Sequence, residues 1–206
     1  MTMSDRPLDF FYSNLTQLFT LVESEREALD TKLKILHYKK DSYLMEPDTK
    51  AKNLFFLQKG IVRSFYQTDD REINTEFFFE NEYLTAFTSF LTGEPTKLHF
   101  QCMEDAELIQ IPKTLIEDLL SRDHRWYILL TEILKNEYIK KCRRESSFLL
   151  LDANERYLYF LKQFPFSYNR IPLFHIASYL GVNPETLSRI RSKKSNQIDL
   201  SQVNNI

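Results

Sequence analysis

The chain has 206 residues, 43% of them hydrophobic, enough to give each of two modest domains a core, which excludes a disordered chain. Two cysteines forty positions apart, Cys102 and Cys142, exclude a disulfide framework, and no apolar run approaches the roughly 20 residues of a membrane-spanning helix. The net charge of -2 conceals an asymmetry: residues 1–134 hold 15 Lys+Arg against 23 Asp+Glu, net -8, and residues 135–206 hold 12 against 6, net +6. Basic charge gathered in one segment favours a polyanionic partner over a merely solvated helix face. The absence of a CxxC pair and of a basic–apolar–small leader pattern points to a reducing, cytoplasmic setting.

Residues 8–36 read as helix: Phe10, Phe11, Leu15, Leu18, Phe19 and Val22 recur at threes and fours, and a second helical pattern from Ser24 reaches Leu36. From residue 37 to 112 the character changes to short β-rich runs, over 53–67, 73–79, 98–103 and 107–111, separated by turn-forming clusters. So many short strands at close spacing predict a small barrel or roll. Gly60, in "QKGIV", marks a tight turn that needs positive φ.

After Pro112 the helical period returns. Lys113 to Ser121 predicts a short helix, and from His124 the positions Tyr127, Leu130, Leu134 and Tyr138, with Trp126, Ile133 and Cys142 beside them, keep an apolar stripe for about five turns. That stripe needs a cover, either the β-rich domain or a second copy of the helix. Asp152 to Glu155 then predicts a capping box opening a new helix, whose apolar face is Tyr157, Leu158, Phe160 and Leu161. The domain division this gives is 1–123 for a β-roll with N-terminal helices, 124–150 for a long helix and hinge, and 151–206 for a C-terminal domain.

The stretch "IASYLGVNPETLSRIRSKK", residues 176–194, carries the functional signal. Ile176, Ala177 and Leu180 form the inward face of one short helix, Val182 plugs a turn, and Leu187 and Ile190 form the inward face of the next. Gly181 suits the positive-φ residue ending the first helix, Asn183 the N-cap, and Pro184 the first position of the second helix, where its missing N–H costs nothing. Glu185, Ser188, Arg189 and Ser192 then share the outward face. Arg189 can donate a forked pair of hydrogen bonds to guanine, and Glu185 can accept from a cytosine amino group. Arg191, Lys193 and Lys194, with Asn183, Thr186 and Ser192, are suited to phosphates. The competing interpretation is that Glu185 and Arg189 merely form an i,i+4 surface ion pair.

On these residues, and on "LDANERYLYFL", "FFLQKGIVRSFY" and "FFFENEYLTAFTSFLTGEP", the chain resembles the Crp/Fnr family of bacterial transcription regulators along nearly its whole length. The resemblance implies an α+β fold: an N-terminal double-stranded β-roll of the cyclic nucleotide-binding, jelly-roll type, a long dimerisation helix, and a C-terminal winged helix-turn-helix. It makes Glu185, Ser188 and Arg189 the base-reading residues and Asp152 the hinge. Tyr127, Leu130, Leu134 and Tyr138 become the dimerisation stripe. The short tail places the wing hairpin within 166–173. Where the family holds a cyclic nucleotide with a glutamate, an arginine and a neighbouring hydroxyl, this chain aligns Ala86, Thr96 and Lys97, so the charged anchors are missing.

The expectation is a cytoplasmic, homodimeric, sequence-specific regulator of palindromic double-stranded DNA. It works without a cofactor and without cAMP in the usual pocket, with RNA polymerase and an unidentified small effector as further possible partners, and with no membrane. The alternative is a ligand-sensing or protein-interaction module of the same fold that does not bind DNA. Phe77, Phe78, Phe79, Phe87 and Phe90 would line its apolar pocket, although at strand spacing they are more simply core. Catalysis is not expected: His37, His99, His124 and His175 are scattered and read as surface or capping residues, and neither GxSxG nor HExxH occurs.

Overall fold

In a computed structural model, residues 8–165 and 167–194 are described. The chain divides into two compact units, Met1–Gln67 with Glu76–Asn136, and Thr68–Thr75 with Glu137–Ile206.

The first unit begins with two short helices, α1 (Asp9–Leu15) and α2 (Glu23–Asp30). The first is shorter than its apolar spacing predicts. Ser13 and Asn14 turn their side chains back onto the carbonyls of Asp9 and Phe10, and such local bonds compete with helix continuation. The second stops at Asp30 instead of reaching Leu36, because residues 34–38 pair as a strand; cross-strand partners outweigh helical spacing in so short a segment.

Eight strands follow: β1 (Lys34–Tyr38), β2 (Tyr43–Met45), β3 (Asn53–Lys59), β4 (Val62–Gln67), β5 (Glu72–Phe78), β6 (Tyr83–Leu84), β7 (His99–Cys102) and β8 (Ala106–Pro112). They form two four-stranded sheets, in the orders β1-β8-β3-β6 and β2-β7-β4-β5. Registers are antiparallel, with Leu36 opposite Leu108, Phe56 opposite Ile109 and Ser64 opposite Phe100. Phe56, Phe78, Phe100, Leu57, Leu84, Leu108 and Ile109 are fully buried and fill the roll, with Phe78 stacked on Phe100 at 5.9 Å. The turn between β3 and β4 needs Gly60. Its φ is +97°, and a Cβ there would lie 2.9 Å from the carbonyl oxygen of Asp105. Of the aromatics weighed as pocket lining, Phe77, Phe78 and Phe90 are buried, and Phe79 and Phe87 half-buried.

Between β6 and β7 lies α3 (Phe87–Thr92), and after β8 come α4 (Lys113–Arg122) and the long α5 (Arg125–Leu150). Trp126 and Ile133 pack into the core of the first unit, with Phe19 edge-on to Trp126 at 5.1 Å. Arg125 ties the start of α5 to its neighbours, donating to Glu25, Asp123 and the carbonyl of Thr20.

The second unit contains α6 (Ala153–Gln163), a 3-10 turn (Ser167–Asn169), α7 (Leu173–Leu180) and α8 (Pro184–Lys194), together with residues 68–75. Tyr157, Phe160, Ile176, Ala177, Leu180 and Leu187 form its core. The wing expected over 166–173 is not a hairpin among the described residues: Ser167 N–H and Oγ both donate to the Phe164 carbonyl, and Arg170 N–H donates to the Ser167 carbonyl at 3.1 Å, closing a 3-10 turn (Ser167–Asn169) between Pro165 and Pro172. The tail beyond Lys194 lies outside the described residues.

Candidate nucleic-acid interface

The candidate interface is built on α7 and α8. The first helix ends at Gly181, φ +67° and ψ +34°, and the N–H of Val182 returns to the carbonyl of Ala177 at 3.0 Å. Asn183 occupies the position before α8, its carbonyl accepting from Leu187 N–H at 3.1 Å, and Pro184 opens the helix. Behind α8, Leu187 is fully buried, Ala177 lies on the facing side of α7 with no exposed surface, and Ile190 is half-buried. The inward set read from the sequence is therefore the one that packs.

The outward set is open. Glu185, Ser188, Arg189 and Ser192 are all exposed, as is Asn183, while Thr186 and Arg191 are half-buried. Among the described residues Glu185 and Arg189 form no ion pair; Arg189 Nε instead faces the Glu185 main-chain carbonyl at 3.4 Å. Ser192 Oγ donates to the Ser188 carbonyl at 3.0 Å. Lys193 and Lys194 belong to α8, but their side chains lie outside the description.

Residues the sequence did not single out hold this pair of helices in place. Arg156 donates through Nε to the Leu180 carbonyl, 3.1 Å, and through Nη1 to that of Leu151, 2.8 Å. Arg144 donates to the Tyr179 carbonyl at 3.3 Å. Both guanidiniums therefore sit at the negative end of α7, where a cation is favoured. Both also lie over the ring of Phe148, at 4.8 and 5.0 Å, and Phe148 abuts Gly181 so closely that a Cβ there would meet its Cε1 at 2.8 Å. Two charges of the basic C-terminal segment are thus engaged internally, which charge counting could not reveal. On the other side of α7, Ser178 Oγ donates to the Glu72 carbonyl at 2.7 Å and accepts from Asn74 N–H at 3.0 Å. Asn74 Nδ2 also meets His175 Nδ1 at 3.3 Å. His175 is buried and His99 stacks on Phe65 at 4.7 Å, so neither is the surface histidine expected; His37 and His124 are exposed.

Asp152 caps α6 as its spacing predicts, with Oδ1 accepting from the N–H groups of Asn154 and Glu155 at 2.8 and 2.9 Å, and Glu155 Oε2 accepting from Asp152 N–H. The division between the units falls within α5, between Asn136 and Glu137. On α5, Tyr127 is 53% and Tyr138 71% exposed, while Leu130 and Leu134 are half-buried.

The three residues aligned with an effector site lie around α3. Ala86 is buried at its N-cap position and offers only a methyl group. Thr96 is buried, with its hydroxyl accepting from Leu98 N–H at 3.0 Å and its main chain bonded to Thr49 and Asp48. Lys97 is exposed and paired with Asp48. Ser89, which carries no local sequence signal, locks this loop by donating to the Glu94 carbonyl and accepting from Ala51 N–H at 2.9 Å. Among the described residues no three His, Cys, Asp or Glu side chains gather as a metal site, and no helix is long and apolar enough to cross a membrane.

Residues 35–123 match the cyclic nucleotide-binding domain family. The chain is similar in structure to FixK2 from Bradyrhizobium japonicum, with a TM-score of 0.71 and 20% identity over 80% of this chain and 85% of that one. It is also similar to a putative transcriptional regulator of the Crp/Fnr family from Eubacterium rectale, with a TM-score of 0.68 and 16% identity over 86% and 85% of the two chains. The chain has the Crp/Fnr fold. A third structure of this fold, the c-di-GMP responsive global regulator CLP of Xanthomonas campestris, has a TM-score of 0.66 and 17% identity over 83% of this chain and 90% of its own. None of the curated proteins matches the chain in sequence. At these identities the likeness is one of fold, and the Crp/Fnr arrangement accounts for the order seen here: roll, long helix, helix-turn-helix.

Proposed function

We propose that this chain is a homodimeric, sequence-specific DNA-binding transcription regulator of the Crp/Fnr type, acting in the cytoplasm on a palindromic operator and not as an enzyme. The observation that carries the reading is the outward face of α8. Glu185, Ser188, Arg189 and Ser192 stand exposed with no ion pair between Glu185 and Arg189, while Leu187 anchors the helix from behind. Such an i,i+4 pair would contribute only about 0.2–0.5 kcal/mol, so both side chains are available to a duplex at little cost. In this reading Glu185, Ser188 and Arg189 contact base edges, and Asn183, Thr186, Arg191, Ser192, Lys193 and Lys194 contact phosphates. The stripe Tyr127, Leu130, Leu134 and Tyr138 joins two copies, setting two recognition helices about one turn of DNA apart. Asp152 marks the hinge, and RNA polymerase is a further partner.

The same reading has no ordinary cAMP response. A cyclic phosphate needs a charged donor set: Ala86 supplies none, Thr96 offers only a neutral hydroxyl that accepts from Leu98 N–H, and Lys97 is exposed and paired with Asp48. Any effector is therefore of another kind.

The test is electrophoretic mobility shift and salt titration of three proteins. Arg189→Ala is expected to relax preference at one base pair per half-site, and Lys193→Ala to weaken binding to all duplexes and lower the salt slope by about one. If both variants bind as the parent does, the assigned roles are wrong.

A further inference from the structure

The first unit has a concavity lined by none of the residues aligned with a nucleotide site. Between α1, α2 and β1 lies a cleft of about 320 Å³, within the range of small-molecule sites. Leu33 and Ile35 give it an apolar floor, and Tyr12, Arg26, Asp30 and Asp9 bound it. Arg26 and Asp30 are one turn apart on α2, the spacing of a surface ion pair, yet among the described residues they do not pair with each other or with any other charged side chain. Each is drawn to Tyr12 instead. The Tyr12 hydroxyl donates to Asp30 Oδ1 at 2.6 Å, with the Arg26 carbonyl as a second acceptor at 3.2 Å, and the Arg26 guanidinium lies 5.3 Å from the ring centre. Burial, then the bond to Asp30, holds the Tyr12 hydroxyl protonated well above the usual phenol range, so the donor is permanent.

The arrangement leaves a forked cation and a carboxylate oxygen, Asp30 Oδ2, at the edge of one apolar floor, on residues one helical turn apart on α2. We propose that this cleft binds a small zwitterion with an aliphatic side chain, the chemistry of a free branched-chain α-amino acid: its carboxylate on Arg26, its ammonium on Asp30, its side chain on Leu33 and Ile35. An ion with one charge satisfies only half of the pair, whereas a zwitterion makes a charge-assisted hydrogen bond to each member.

The experiment is a two-dimensional amide NMR titration of the full chain with L-leucine, 4-methylpentanoate and 3-methylbutylamine, repeated in Arg26→Gln and in Asp30→Asn. The second variant keeps an acceptor for the Tyr12 hydroxyl while removing the charge, so folding is preserved, and far-UV circular dichroism checks both. Leucine is expected to saturate shifts in α1, α2 and β1, with each single-charge analogue and each variant weaker by roughly tenfold or more, the loss of one charge-assisted hydrogen bond. No saturable shift at about 10 mM leucine, equal binding of either analogue, or unchanged affinity in both variants overturns the proposal. None of these outcomes bears on DNA binding, which α8 carries separately.

Discussion

Replacing Gly181 with alanine separates two costs that the structure places at one residue. The first is conformational: at φ +67° an L-residue loses about 1–2 kcal/mol relative to the right-handed region. The second is steric. The new Cβ would stand 2.8 Å from Phe148 Cε1, so the ring must shift, and it is held between Arg144 and Arg156 at 4.8 and 5.0 Å. Loosening two partly exposed cation–π contacts costs about 0.5–1 kcal/mol each. The expected total is about 2–4 kcal/mol. Gly93 supplies the control, because its φ is +76° and nothing lies within 4 Å of its added Cβ; Gly93→Ala should cost only the conformational part, about 1–2 kcal/mol. Urea unfolding followed by far-UV circular dichroism reads the helices of both units, and Trp126 fluorescence reads the first alone. Gly181→Ala combined with Phe148→Ala should recover about 1 kcal/mol of coupling in a double-mutant cycle. Equal costs at the two glycines, or no coupling to Phe148, would refute the idea that the turn is braced by that ring.

Two further perturbations have defined outcomes. Asp152→Ala removes the acceptor of two first-turn N–H groups and is expected to cost about 1 kcal/mol, measured by the same urea titration, whereas Asp152→Asn or Asp152→Ser should retain most of that stability. Burial pushes the Cys102 thiol up to about 11 from its ordinary 9.0. The unfolded thiol therefore ionises first, so its contribution to stability is present below pH 9 and is lost as pH rises from there toward 11. Iodoacetamide at pH 8 should accordingly modify half-buried Cys142 before Cys102, as peptide mass spectrometry would show.

How legible the molecule was in its sequence depended on the range of the interactions involved. Local chemistry was readable: the capping box at Asp152, the positive-φ positions Gly60 and Gly181, and the inward set Ile176, Ala177, Leu180 and Leu187 all follow from neighbours within a few residues. Misreadings arose where distant pairing overrode local pattern, as when β8 drew residues 34–38 into a strand that continued a helical spacing. The supports of the candidate interface were invisible for the same reason. Arg144 and Arg156 look like two more cations in a basic segment, and only the fold brings them to the Tyr179 and Leu180 carbonyls. Ser178 gains its role from Glu72 and Asn74, more than a hundred residues earlier. His175 carries no sequence signal of burial, and its polar contact with Asn74 spans 101 residues.

Selection of bound sequences from random duplex DNA by the 206-residue chain tests the central claim most directly. Enrichment of a two-fold-symmetric motif, with half-sites about one helical turn apart and one half-site position relaxed in Arg189→Ala, is the predicted result. Recovery of no motif at low salt, or of the same motif with the same preference when Arg189 is alanine, would contradict it.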